Sequence, residues 1–196
     1  MADPRIEKLT SFVQWAQAHI TGDEKGQAQV FLDRLFQAFG HPGSFDIGGE
    51  SEFRVRKAPE DGGGTAFADF VWMPVVLIEM KKRGTVLSKH YRQAFDYWTR
   101  LVPGRPRYVV LCNFDEFEVY DFETQMDSPV GSAKLADLVE NYGPLAFLFP
   151  GQLLDLNQQA ATRIENGEPV TAPGLPLPPK KRAAFITDDC IRAFFP

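Results

Sequence analysis

Two carboxylates and an ammonium stand at spacings that let them meet. Asp69 precedes an apolar run, Val75-Val76-Leu77-Ile78, that ends in Glu79-Met80-Lys81. The run reads as a buried strand, and burying a charge is costly unless it is paired or holds a metal. Residues two apart in a strand share a face. Glu79 and Lys81 therefore point the same way, with Val75 and Leu77 behind them. A turn centred on Pro74 puts Asp69 opposite Glu79, and opposed residues of antiparallel strands lie roughly 5 Å apart on one face. Carboxylates that close repel, so one is protonated unless a cation sits between them. Lys81 supplies part of that compensation. A hard divalent cation supplies more: Mg²⁺, with Mn²⁺ as a substitute, is held by one or two carboxylates plus waters and phosphates. The next residues, Lys82 and Arg83, suit a phosphate backbone. The plainer reading makes Asp69 a strand-end turn residue and Glu79–Lys81 a surface ion pair worth ~0–1 kcal/mol.

The elements that must position these groups are legible from periodicity. Ile6, Leu9, Val13, Ala16 and Ile20 predict a first helix over 5–20. Thr21-Gly-Asp-Glu24 has capping-box spacing. A second helix follows, with Ala28, Phe31, Leu35 and Phe39 on one stripe and Gly40 as its stop. Glu24 lies one turn before Ala28 on that stripe, so it either closes the capping box or serves the site. Phe53, Val55 and Lys57 alternate with Glu52, Arg54 and Arg56 as a strand. Strands are expected at 67–72, 75–81, 108–113 and 117–121. A helix is expected over 88–101, with Tyr91, Phe95 and Trp98 as its apolar stripe, and short helices over 135–142 and 152–164. The segment 166–182 is proline-rich and reads as a linker, and 183–196 as an apolar tail. The expected organisation is therefore a leading helix (1–22), a core (23–150), a helical extension (151–165), the linker and the tail.

Composition bounds the rest. A chain of 196 residues, 44% hydrophobic and 13% aromatic, suits one domain with appendages. A net charge of −5 argues against a general nucleic-acid coat protein. Charge is nonetheless uneven: from Lys81 to Arg107 the cations include Lys82, Arg83, Lys89, Arg92, Arg100 and Arg105, opposed only by Asp96. No apolar run approaches the ~18–20 residues of a membrane helix. The start shows no signal-peptide pattern, and Cys112 and Cys190 lack a CxxC partner; a cytoplasmic location with free thiols is expected.

Asp69, nine residues, then Glu79-Met80-Lys81 resembles the signature of the PD-(D/E)XK nucleases, although Ala68 stands where the motif's name has proline. Gln93-Ala-Phe-Asp-Tyr97 resembles the Q-x-x-x-Y element of RecB-like members, whose side chains back the active site or contact DNA. Together with FLDRLFQAFG, VVLIEMKKRG and RPRYVVLCNFDEFEVYDF, these features look like the N-terminal nuclease domain of the MmeI-type (type IIL) fused restriction–modification enzymes, over roughly residues 24–150.

That resemblance implies an α/β (α+β) restriction-endonuclease-like fold, a central mixed β-sheet flanked by helices. It implies Mg²⁺-dependent cleavage of double-stranded DNA. Asp69, Glu79 and the Met80 carbonyl would hold the metal. Lys81 would orient or deprotonate the attacking water or neutralise charge, and Glu24 would bind a metal-bound water. Gln93 and Tyr97 would support the site, and Lys82, Arg83, Lys89 and Arg92 would hold the DNA backbone. The expected partners are a methyltransferase and target-recognition module, in cis or in trans, with dimerisation on DNA. No Asn-Pro-Pro-Tyr or glycine-rich S-adenosylmethionine loop occurs in the chain. The tail would fit the start of a connector helix. The competing reading is a catalytically silent DNA-binding or assembly module on the same fold.

Overall fold

A computed structural model of the chain describes residues 3–57, 63–101 and 104–150. Helix α1 spans Pro4–His19. Asp3 caps it by accepting the Arg5 amide, and Pro4 enters the first turn, where no amide partner is needed. Leu9, Phe12, Val13 and Ala16 form its buried stripe. Helix α2 (Glu24–Ala38) buries Ala28, Phe31, Leu32, Leu35 and Phe36. Gly40 ends it at φ +98°, a left-handed conformation that glycine adopts without steric cost.

Among the described residues six strands follow in sequence order across one sheet: β1 (Glu50–Arg56), β2 (Thr65–Trp72), β3 (Val76–Met80), β4 (Tyr108–Cys112), β5 (Glu116–Asp121) and β6 (Gly131–Lys134). All neighbours are antiparallel except β3 and β4. A parallel pair needs a crossover, and here helix α3 (Tyr91–Arg100), entered through a 3₁₀ turn at Leu87–His90, supplies it. The fold is thus the expected mixed sheet flanked by helices.

The two faces carry separate cores. Phe70, Trp72, Val76, Ile78 and Met80 pack with α1 and α2, while Val71, Leu77, Val109 and Leu111 pack with Ala94 and Trp98 of α3. Strand β3 is buried at every position, as a central strand covered on both sides must be. Cys112 lies in the first core, where burial pushes its thiol up to about 12. No helix among the described residues is long and apolar enough to cross a membrane.

Three expectations change. The helix foreseen over 135–142 is a single 3₁₀ turn, Leu135–Asp137, followed by turns that Asp137 closes by accepting the Glu140 and Asn141 amides. Its Leu135 and Leu138 are both buried, and spacing by three serves a 3₁₀ turn as well as a helix. Strand β6 was not foreseen, because Gly131 and Ser132 carry no strand preference. Nor was the 3₁₀ segment Gly143–Leu148. The helix at 152–164, the linker and the tail with Cys190 lie outside the described residues.

Candidate active site

The register of β2 and β3 pairs Phe70 with Ile78, Val71 with Leu77 and Trp72 with Val76, so the hairpin centres on residue 74. Continued by one rung, that register sets Asp69 against Glu79. The ladder does not continue. Asp69 Oδ2 instead accepts the Met80 amide at 2.7 Å, a side chain standing in for backbone. The strands fork there, and the charged groups occupy the fork.

Glu79 is 2% exposed and Lys81 7%. Lys81 Nζ donates to Glu79 Oε1 at 2.8 Å. Gln93 Nε2 donates to the same oxygen at 2.7 Å and lies 3.1 Å from the Tyr97 hydroxyl oxygen. Glu79 Oε2 is buried and makes no geometrically sound hydrogen bond among the described residues, although the Asp69 amide exerts a weak pull on the carboxylate. An unsatisfied buried carboxylate oxygen is costly. It is also the oxygen a metal ion would use.

Glu24 arrives from the start of α2. Its Oε2 accepts the Lys82 amide at 3.0 Å, and its Oε1 lies 4.0 Å from Lys81 Nζ. The capping box is not formed. Gln27 Oε1 takes that role by accepting the amides of Thr21, Gly22 and Asp23, which frees Glu24 to face the fork.

The electrostatics follow from burial. Desolvation pushes the Glu79 carboxyl up to about 7, and the Asp69 charge adds to the rise against the pull of Lys81. Asp69 is raised too, by burial first and by Glu24 and Glu52 next, against the Met80 amide and Lys81. Burial alone would lower Lys81, but Glu79, Glu24 and Asp69 outweigh it and raise the ammonium. Lys81 is held here as a fixed cation.

Glu52 was read as an ordinary strand residue. It faces Asp69 across the β1–β2 register, yet the two form no ladder pair, and its backbone is left-handed at φ 51°. Such a conformation at a non-glycine residue is strained and often marks a functional site. Alternation of residue types carries no signal for it.

The cations divide. Lys82 and Lys89 are exposed. Arg92 is exposed and pairs with Asp96 at 3.1 Å. Arg83 turns inward, donating to Asp115 Oδ1 at 3.0 Å and to the Ile20 carbonyl at 2.7 Å. Arg107 pairs with Asp121, and Arg105 covers the Trp98 ring. The basic stretch of sequence is therefore not one basic face.

Arg83 braces the α1–α2 turn that presents Glu24, and Gly22 is the contact point. A Cβ at Gly22 would lie 2.3 Å from Arg83 Cβ, and its φ of +93° suits only glycine. Gly22→Ala is expected to cost about 2 kcal/mol, read as a lower urea midpoint. An unchanged midpoint would show that the turn does not hold this contact.

Among the described residues no three His, Cys, Asp or Glu side chains close into a metal cage. The donor set is two carboxylates where the β2–β3 pairing ends, one with a buried oxygen that makes no geometrically sound hydrogen bond among the described residues. That suits a hard cation that keeps several waters, and to that extent the residues fit Mg²⁺ or Mn²⁺.

Comparison with curated proteins gives no match. Among solved structures, a chain of the cryoEM structure of a DrdV–DNA complex is similar over 83% of this chain, at 15% identity and a TM-score of 0.45. This chain covers 16% of that one. The family model described as MmeI, N-terminal domain, matches residues 2–165, and the chain belongs to that family.

Proposed function

We propose that the chain is a Mg²⁺-dependent endonuclease domain that hydrolyses phosphodiester bonds of double-stranded DNA, a PD-(D/E)XK component of a type IIL restriction–modification system. The observation that carries this reading is the β2–β3 fork, which holds Asp69 at the Met80 amide, Lys81 on Glu79 Oε1, and Glu79 Oε2 buried with no geometrically sound hydrogen bond among the described residues. Family membership supports it.

Asp69, Glu79 and the Met80 carbonyl would hold the ion. When bound, a divalent cation supplies charge neutralisation at the phosphate and lowers the pKa of water. The protein's own part is positional and electrostatic. Lys81 holds positive charge beside the reacting phosphate and orients the attacking water, a role its raised affinity for a proton favours over that of a base. Gln93, backed by Tyr97, fixes the Glu79 carboxylate. Glu24 faces the same space and suits an outer water. Exposed Lys82 and Lys89 suit phosphates, which position DNA without reading sequence. Sequence choice would fall to a methyltransferase and target-recognition module, in cis or in trans, with dimerisation on DNA and action in the cytoplasm.

One observation favours a silent DNA-binding module: Lys81 and Gln93 already occupy Glu79 Oε1. Calorimetry separates the readings. Saturable Mn²⁺ binding by the chain, lost in Asp69→Asn/Glu79→Gln, is the expected result. No binding by the unaltered chain, even with duplex DNA present, would overturn the nuclease reading in favour of the silent module.

A further inference from the structure

We infer that the outer half of the β1–β2 hairpin is an arm that grips the backbone of duplex DNA, with Arg54 and Arg56 as its phosphate contacts and Phe67 as an apolar contact. The inference rests on the DNA reading above and adds the surface that holds the duplex.

The register places the arm. Pairing between β2 and β3 stops at Phe70 and Ile78, whereas pairing between β1 and β2 runs on to Arg56 and Thr65. Residues 65–68 of β2 therefore extend past the fork without β3 beside them. At 3.2–3.4 Å per residue the overhang reaches about 13 Å beyond Asp69.

One face of the arm is covered. Val55 and Ala68 pack into the core beneath α3, Ala66 is buried, and Arg100 Nη1 reaches the Arg56 carbonyl at 3.4 Å. The other face is open. Burial alternates along both strands, so that Arg54, Arg56, Thr65 and Phe67 are exposed while Val55, Ala66 and Ala68 are not. Arg54 stands directly across from Phe67, and Arg56 from Thr65. Phe67 is 49% exposed, an unusual position for a large ring on an open sheet face.

Charge then selects the partner. Among the described residues no carboxylate pairs with Arg54 or Arg56. They contrast with Arg83, Arg92 and Arg107, each of which is paired within the protein. Arg54 and Arg56 are two apart on one strand, so their side chains leave the same face about 6.7 Å apart. That step suits successive phosphates of one DNA strand. Arginine forks match phosphate geometry, and an apolar ring between such contacts is a recurrent feature of groove binders.

The test uses the whole chain and a labelled, sequence-neutral DNA duplex, with anisotropy recorded across a salt series. Arg54→Ala/Arg56→Ala is compared with Lys8→Ala/Lys134→Ala, which removes the same charge from exposed sites elsewhere. The expected result is an affinity about tenfold lower for the arginine pair, and a slope of log affinity against log salt reduced by about 2, near 0.9 per phosphate contact. Phe67→Ala should weaken binding with the slope unchanged. Equal losses in both double variants, an unaltered slope in the arginine pair, or no duplex binding by the unaltered chain at low salt would each overturn the inference. Mn²⁺ calorimetry reads the carboxylates alone. A chain that binds metal while its DNA affinity ignores Arg54 and Arg56 therefore refutes the arm and leaves the nuclease reading standing.

Discussion

Lys81→Met is expected to lower metal-dependent DNA cleavage by about 10³-fold or more and to destabilise the fold by about 3 kcal/mol. Both effects come from one contact. Lys81 Nζ lies 2.8 Å from Glu79 Oε1, with the two side chains 9% and 3% exposed. Without the ammonium, Glu79 keeps Gln93 but no cation at this oxygen, and must protonate or stay charged in a site that hydrates it poorly. Breaking a buried pair on one side costs more than replacing both members. Glu79→Gln/Lys81→Met should therefore recover much of the lost stability without recovering cleavage, with a coupling of about 2 kcal/mol in a double-mutant cycle. Urea unfolding of the four proteins, beside cleavage with the targeting partner supplied, reads both quantities. Strictly additive losses would mean that the pair is not a pair in solution.

The second large effect is on pH. Folding raises the Glu79 carboxyl from 4.5 to about 7. Between those values the folded chain holds a proton at Glu79 that the unfolded chain has lost. Its stabilising contribution is fully present below about pH 4.5 and is lost as pH rises through about 7. The slope is about −1.4 kcal/mol per pH unit, or about 3 kcal/mol across the window. Asp69, also raised, acts in the same direction. Lys81, raised from 10.5, titrates above this window. The difference in unfolding free energy between the unaltered chain and Glu79→Gln, measured with chelator at pH 5.5 and 8, isolates the effect from other carboxylates. The unaltered chain should lose stability relative to the variant as pH rises. A cation competes with that proton, so Mn²⁺ affinity should fall about tenfold per unit below pH 7. A pH-independent affinity would place the metal elsewhere.

Much of this arrangement is legible in the sequence because strong physical constraints set it. The apolar run reads as a buried strand, and the structure starts that strand at Val76 with Val75 left in the turn; Pro74 sits at the hairpin's centre, so the register that brings Asp69 towards Glu79 follows from counting. Gln93 and Tyr97 are one helical turn apart, and the structure brings Gln93 to Glu79 with the Tyr97 hydroxyl behind it. Other features depend on tertiary context. Gln27 rather than Glu24 serves the turn before α2, because Glu24 has a better use at the Lys82 amide. The basic stretch 81–107 divides, because Arg83, Arg92 and Arg107 are taken up in local ion pairs while Lys82 and Lys89 stay exposed. The left-handed Glu52 and the overhang of β2 are properties of a pair of strands, and neither strand's sequence states them.

The fork has a cost for the sheet that holds it. Asp69 occupies the Met80 amide and keeps the β2–β3 ladder from closing another rung, beside a glutamate whose second oxygen is buried and unmatched. An apolar residue at either position would let the strands zip further and relieve the unmatched oxygen. Random substitution filtered for robustness alone would therefore drift toward a quieter and sturdier sheet with no site. In a lineage of such chains, an open fork records continued demand for what happens there, because only that demand opposes its closing.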